Sequence, residues 1–153
     1  MTTITRLYRF SASHRLHSAG LSTAENVELY GKCNNPFGHG HDYVLEVTAA
    51  GELVQQTGLL LPISRLDRLV DETILQRFAY RNINEEVPQF KHLVPTTENL
   101  VLVITELLQQ SWEAYLGGVP ARLHRVHIQE TDRNGFEIVL DAKARAEGLI
   151  LHA

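Results

Sequence analysis

Cysteine occurs once in the 153 residues, at Cys33, and methionine and tryptophan also occur once each. A single thiol excludes an internal disulfide framework. Long apolar runs are missing too. The longest, Gly58-Leu59-Leu60-Leu61-Pro62-Ile63, is broken by proline and is far below the roughly 20 residues that span a bilayer. The opening Met1-Thr2-Thr3-Ile4-Thr5-Arg6 has no apolar core of the kind a secretory leader carries. No membrane partner is therefore expected, and the cytoplasm is the default location. Positive charge is not in excess: 14 Lys and Arg face 18 Asp and Glu, a formal net charge of -4. Without a basic face, nucleic acid is not expected as a partner. Internal repeats and low-complexity segments are absent.

What is present suits one ordinary folded unit. Hydrophobic residues make up 44% and charged residues 21% of the chain, enough for a real core in a single domain over residues 1–153. Residues 8–15 alternate and predict a strand. Residues 16–32 are polar, with Gly20, Ser22 and Asn26, and predict a loop with room for a helical turn in it. Residues 43–51 are β-branched and alternating and predict a second strand. Residues 55–58 predict a turn, and residues 59–61 a short strand after it. Ser64 is a candidate N-cap for a helix whose apolar positions are Leu66, Leu69, Val70, Ile74, Leu75 and Phe78. Residues 82–95 predict a loop. Thr96 or Thr97 caps a second helix with a stripe of Leu100, Val101, Ile104, Leu107, Leu108 and Trp112, stopped by Gly117-Gly118. Residues 123–131 predict a third strand and residues 136–140 a fourth, joined by the hairpin signal Asp132-Arg133-Asn134-Gly135. Residues 141–153 predict a helical or frayed tail. Strand, strand, helix, helix, strand, strand favours an α+β layer: a four-stranded antiparallel sheet with both helices on one face. Such a sheet has open edges, and assembly through them is one way to cover them.

The densest chemistry lies in Cys33-Asn34-Asn35-Pro36-Phe37-Gly38-His39-Gly40-His41. Side chains two apart on a strand point the same way, so His39 and His41 can grip one ion. His14 sits on a predicted strand in Phe10-Ser11-Ala12-Ser13-His14. Three neutral imidazoles with an open fourth position are the pattern of a catalytic zinc site; the plainer alternative is a set of solvent-facing or core histidines. Cys33 lies in a polar, turn-like stretch where a buried core thiol is not expected, and Lys32 beside it would favour thiolate. It is a fourth metal ligand, a nucleophile or a base. Glu130, at the end of an apolar strand, suits a polar group lining a pocket. Glu98 and the Thr96-Thr97 pair are explained as readily by helix N-terminal charge and capping.

From about Phe10 to about Val139 the chain resembles the 6-pyruvoyl tetrahydropterin synthase family, which also includes 6-carboxytetrahydropterin synthases. The resemblance is carried by Phe10-Ser-Ala-Ser-His14-Arg-Leu-His17, Tyr30-Gly-Lys-Cys33-Asn-Asn-Pro-Phe-Gly-His39-Gly-His41, Pro95-Thr-Thr-Glu98-Asn99 and Gln129-Glu130-Thr131-Asp132. The six-residue spacing from Cys33 to His39 looks more like the biopterin-type members. The resemblance implies the tunnelling fold (T-fold), whose sheets join into a trimeric β-barrel, with two trimers stacking into a hexamer. It implies Zn2+ on His14, His39 and His41. It implies a pterin pocket between subunits, with Glu130 on the pterin's guanidine-like edge, helped by Thr96, Thr97 and Glu98. A carboxylate facing a cyclic amidine makes a charge-assisted bidentate pair. The family reaction takes 7,8-dihydroneopterin triphosphate to 6-pyruvoyl tetrahydropterin, with zinc as Lewis acid and the position of Cys33 as general base.

The chain departs from the family at the second proton relay. The family carries an Asp-His pair in Leu-Asp-His-x-Asn-Leu. The matching stretch here is Phe78-Ala79-Tyr80-Arg81-Asn82-Ile83, so Ala79 and Tyr80 stand in for the pair. A phenol of pKa about 10 does not relay protons at neutral pH as an imidazole does, yet Tyr80 retains a hydrogen-bonding role as a catalytic candidate. Pro62 is a second departure, where the family often has Asp or Asn. Two readings follow. One is a zinc-dependent pterin lyase, eliminating triphosphate or cleaving the side chain of a related dihydropterin, with Cys33 as base. The other is a pterin-binding homologue that has lost synthase activity through the change at Ala79 and Tyr80.

Overall fold

The two strand-forming runs near the N-terminus pair along their whole length in the computed structural model, which describes residues 1–141. Strand β1 (Thr2–His14) lies antiparallel to β2 (His39–Gly51), in register from Thr2 opposite Gly51 to His14 opposite His39. β1 starts six residues earlier than alternation alone predicts, because the partner strand extends far enough to hold it. Strand β3 (Arg122–Gln129) pairs with β2, and β4 (Gly135–Val139) pairs with β3, giving an antiparallel sheet in the order β1-β2-β3-β4. One face carries Phe10, Ala12, Tyr43, Leu45, Val47, Val126 and Ile128, all buried.

The expected helices cover that face. Helix α2 (Ile63–Val70) passes through a π turn (Asp71–Leu75) into the single turn α3 (Gln76–Phe78). Leu66, Val70, Ile74 and Phe78 are spaced four apart and all fully buried. A four-residue repeat drifts around a 3.6-residue helix, and the wider π turn takes up the drift. Pro62, not Ser64, occupies the N-cap and makes no side-chain bond there. The long helix α5 (Thr97–Leu116) begins at the N-cap Thr96, whose hydroxyl accepts from the Asn99 N–H at 3.2 Å. It packs on β3, β4 and α2.

Several local expectations are corrected. The stretch expected as loop after β1 contains helix α1 (Thr23–Tyr30) and a 3-10 turn (Gly31–Asn34). Ser22 and Glu25 form a reciprocal capping box, which starts a helix with little apolar stripe. The stretch between Asn82 and Pro95 holds α4 (Ile83–Glu86) and a 3-10 turn (Pro88–Phe90). The short strand expected after the turn at residues 55–58 reduces to one bridge, Val54 with Leu59. The expected tail falls, except for Asp141, outside the described residues. Among those residues, no helix is long and apolar enough to cross a membrane.

Candidate metal centre and ligand pocket

The register that aligns β1 with β2 sets His14 directly opposite His39. Gly38 makes this possible: its φ is +70°, and a Cβ there would stand 2.9 Å from the His14 carbonyl oxygen. His39 and His41 then share one face by strand alternation. The three rings lie mutually edge-on, with centroids 4.7, 5.0 and 4.8 Å apart. His14 Nε2 is 3.1 Å from His39 Nε2, and one ligand atom from each histidine falls within a 4.8 Å cluster.

These residues fit a zinc ion. Zn–N bonds of about 2.0–2.1 Å in a tetrahedron set nitrogens roughly 3.3 Å apart. His14 Nδ1 lies 2.8 Å from the Pro95 carbonyl oxygen and donates to it, which leaves a lone pair on Nε2, the outer hydrogen bond typical of a metal-bound histidine. His39 Nδ1 and His41 Nε2 are buried without hydrogen-bond partners. Burial pushes the His14 and His39 imidazoles below their ordinary pKa, and the neighbouring imidazoles push the same way. Neutral rings are what a metal requires.

Glu130 closes the other side. Its N–H bonds to the Asn134 carbonyl at 3.0 Å, so the β3–β4 hairpin fixes it. Oε1 is 3.5 Å from His41 Nε2 and 3.6 Å from His14 Nε2, and the side chain is 15% exposed. Cys33 sits half-buried in the 3-10 turn. That turn is pinned to the chain just past His14: Leu16 N–H donates to the Cys33 carbonyl at 2.8 Å, Asn34 Nδ2 to the Leu16 carbonyl at 2.8 Å, and Arg15 Nε to the Asn34 carbonyl at 3.0 Å. Burial, and then the Glu130 charge, push the thiol pKa up. This reverses the expectation that Lys32 favours thiolate.

Thr97 is buried with an unpartnered hydroxyl oxygen, two residues past the carbonyl that orients His14. The Thr96 hydroxyl is occupied as the helix cap, and Glu98 is exposed on the first turn. Tyr80 stands apart. Its N–H donates to the Ser11 carbonyl at 2.6 Å, and Ser13 N–H to the Arg81 carbonyl at 2.9 Å, so residues 80–82 cover the end of the β1 edge. Tyr80 has φ +60° and is 88% exposed. With Ser11, Asp42, Arg81 and Glu86 it lines an open cavity of about 540 Å3, which His41 also borders. Two positions that shape the site escaped the sequence reading. Asn34 locks the thiol turn, and Tyr43 lies fully buried beneath the histidines. Tyr43 continues the period-two series of His39 and His41, and that was its available signal.

A four-stranded antiparallel sheet, helices on one face, and a three-histidine centre at the end of its first hairpin define a tunnelling-fold protein. Residues 3–140 match the family model of 6-pyruvoyl tetrahydropterin synthase. The chain is 43% identical over 132 residues to the 6-pyruvoyl tetrahydrobiopterin synthase of Poecilia reticulata, covering 86% of this chain and 85% of that one. It is 42% identical over 131 residues to the Homo sapiens enzyme of the same name, covering 86% of each. The solved Caenorhabditis elegans 6-pyruvoyl tetrahydropterin synthase superposes with a TM-score of 0.81 at 37% identity, over 92% of this chain and 96% of that one. The chain belongs to the 6-pyruvoyl tetrahydropterin synthase family.

Proposed function

We propose that this chain is a cytoplasmic, zinc-dependent lyase that converts 7,8-dihydroneopterin triphosphate to a 6-pyruvoyl tetrahydropterin. The observation that carries this reading is the convergence of three imidazoles and the Glu130 carboxylate at one end of the sheet, with the turn of Cys33 pinned to the chain just past His14. His14, His39 and His41 hold the metal. Zinc, when bound, supplies Lewis-acid polarisation of the substrate's side-chain oxygens. Glu130 takes the amino-amide edge of the pterin as a bidentate pair, with Thr96, Thr97 and Glu98 at the mouth of α5. Cys33 takes and returns the side-chain protons; once ionised, a thiolate whose pKa is raised is the stronger base. Apart from the residues 80–82 that bond to Ser11 and Ser13, the long β1 edge and the β4 edge have no strand partner among the described residues. Pairing of these edges between copies builds a trimer or a dimer of trimers and turns the exposed Tyr80 toward a neighbour's site. The binder without chemistry gains no support from the relatives, which are named as synthases.

Mass spectrometry of zinc-loaded protein incubated with dihydroneopterin triphosphate, and separately with dihydroneopterin, tests this. The expected product is the 6-pyruvoyl pterin from the first substrate, reduced about 10²- to 10⁴-fold in Cys33→Ala. Turnover of dihydroneopterin alone would redirect the chemistry to side-chain cleavage. Turnover of neither, with tight pterin binding, would sink the enzyme reading.

A further inference from the structure

Tyr43 is a fully buried residue whose hydroxyl has no hydrogen-bond partner. Leaving a buried polar group unpaired is costly, and native structures seldom tolerate it without a reason. The ring is fixed: it stacks on Phe10 at 5.1 Å and 21°, and meets the edges of His41 at 5.6 Å and His14 at 6.4 Å. Alternation puts its side chain on the face of His39 and His41. Val44 pairs with Gln129 at the end of the β2–β3 ladder, and Tyr43 and Glu130 are the next residues along on each strand. The other orphaned atoms nearby, His39 Nδ1, His41 Nε2 and the Thr97 hydroxyl, lie on the metal ligands or on α5. The Tyr43 hydroxyl is thus an unpartnered donor at Glu130's end of the sheet, on the face of His39 and His41.

A pterin presents, in order around its ring, a 2-amino group, an N3–H and a 4-oxo oxygen. If Glu130 takes the first two, the adjoining group is an acceptor, and it needs a donor beside Glu130. Resting on the pterin reading above, we propose that Tyr43 is a specificity residue: its hydroxyl donates to the 4-oxo oxygen, and the site thereby selects 4-oxo over 4-amino pteridines. A site built to hydrogen-bond one group rejects the analogue that lacks it, because its own polar atom is then left unpaired.

Calorimetric titration of wild type and Tyr43→Phe with neopterin and with 2,4-diamino-6-hydroxymethylpteridine tests this. The variant is expected to lose about tenfold in affinity for neopterin and little for the diamino compound. Its ligand-free melting temperature should equal or exceed that of wild type, since an orphaned hydroxyl has been removed. Equal neopterin affinity in both proteins, or an equal loss for both ligands, overturns the role of Tyr43 while leaving the pterin reading intact. Failure of the wild type itself to bind neopterin overturns the pterin reading and this role with it.

Discussion

At the residue scale the resemblance places its main departure at Ala79 and Tyr80. Tyr80 holds a left-handed backbone at φ +60°, a conformation in which histidine is better represented than bulky aromatics. Tyr80→His is therefore expected to fold without loss. Ala79 is half-buried and packed against the core, so Ala79→Asp alone should cost about 1–3 kcal/mol for a carboxylate without a partner. The double substitution lets the new carboxylate and imidazole pair. It is predicted to raise synthase turnover by about 10²-fold or more, read as 6-pyruvoyl product per unit time. No gain would mean that the pocket facing this loop has itself diverged. The histidine cluster was legible because strand alternation alone puts His39 and His41 on one face. The placement of Tyr80 was not, because it depends on residues 80–82 bonding to the β1 edge far away in sequence.

At the element scale, β1 is tied to α2 by a charged clamp. Arg6 Nε and Nη2 donate to Asp67 at 3.1 and 2.7 Å, and the Tyr8 hydroxyl donates to Asp67 at 2.8 Å. Burial works against ionisation of Asp67, but the bonds from Arg6 and Tyr8 outweigh it and hold its pKa below the ordinary 3.8. A carboxylate depressed in the folded state adds stability above its unfolded pKa and loses it as pH falls through the folded one. Both side chains are more than a third exposed, at 41% and 38%, so water screens the pair and Asp67→Asn should cost about 1 kcal/mol or less. Urea melts across pH should show that difference constant well above the carboxyl's ordinary pKa of 3.8, shrinking as pH falls past that value, and gone only below the lowered pKa of the folded state. A difference that grows in acid would contradict the clamp. The strands and both main helices were readable from periodicity. Helix α1 was not, because its Val27 and Leu29 face solvent and its start is announced by a capping box and not by a stripe. The π turn follows from the four-residue spacing of Leu66, Val70, Ile74 and Phe78, a pattern visible in sequence but read there as plain helix.

At the scale of the whole molecule, the cavity beside Tyr80 borders the β1 edge at Ser11, Ala12 and Ser13, and assembly through the open edges is the proposal to test. Light scattering at micromolar concentration is expected to give three or six chains per particle, and a monomer would contradict assembly through the edges. The order of strands was legible in the sequence; which edges meet is a property of several chains and was carried by resemblance alone. His14, His39 and His41, with Cys33 and Glu130 around them, are proposed to make a zinc-dependent pterin synthase. The most direct measurement is formation of 6-pyruvoyl tetrahydropterin from 7,8-dihydroneopterin triphosphate by one preparation, stripped of metal and then reloaded with zinc. The account predicts turnover that falls to background on stripping and returns with about one zinc per chain. Undiminished turnover without metal, or none after reloading, would contradict it.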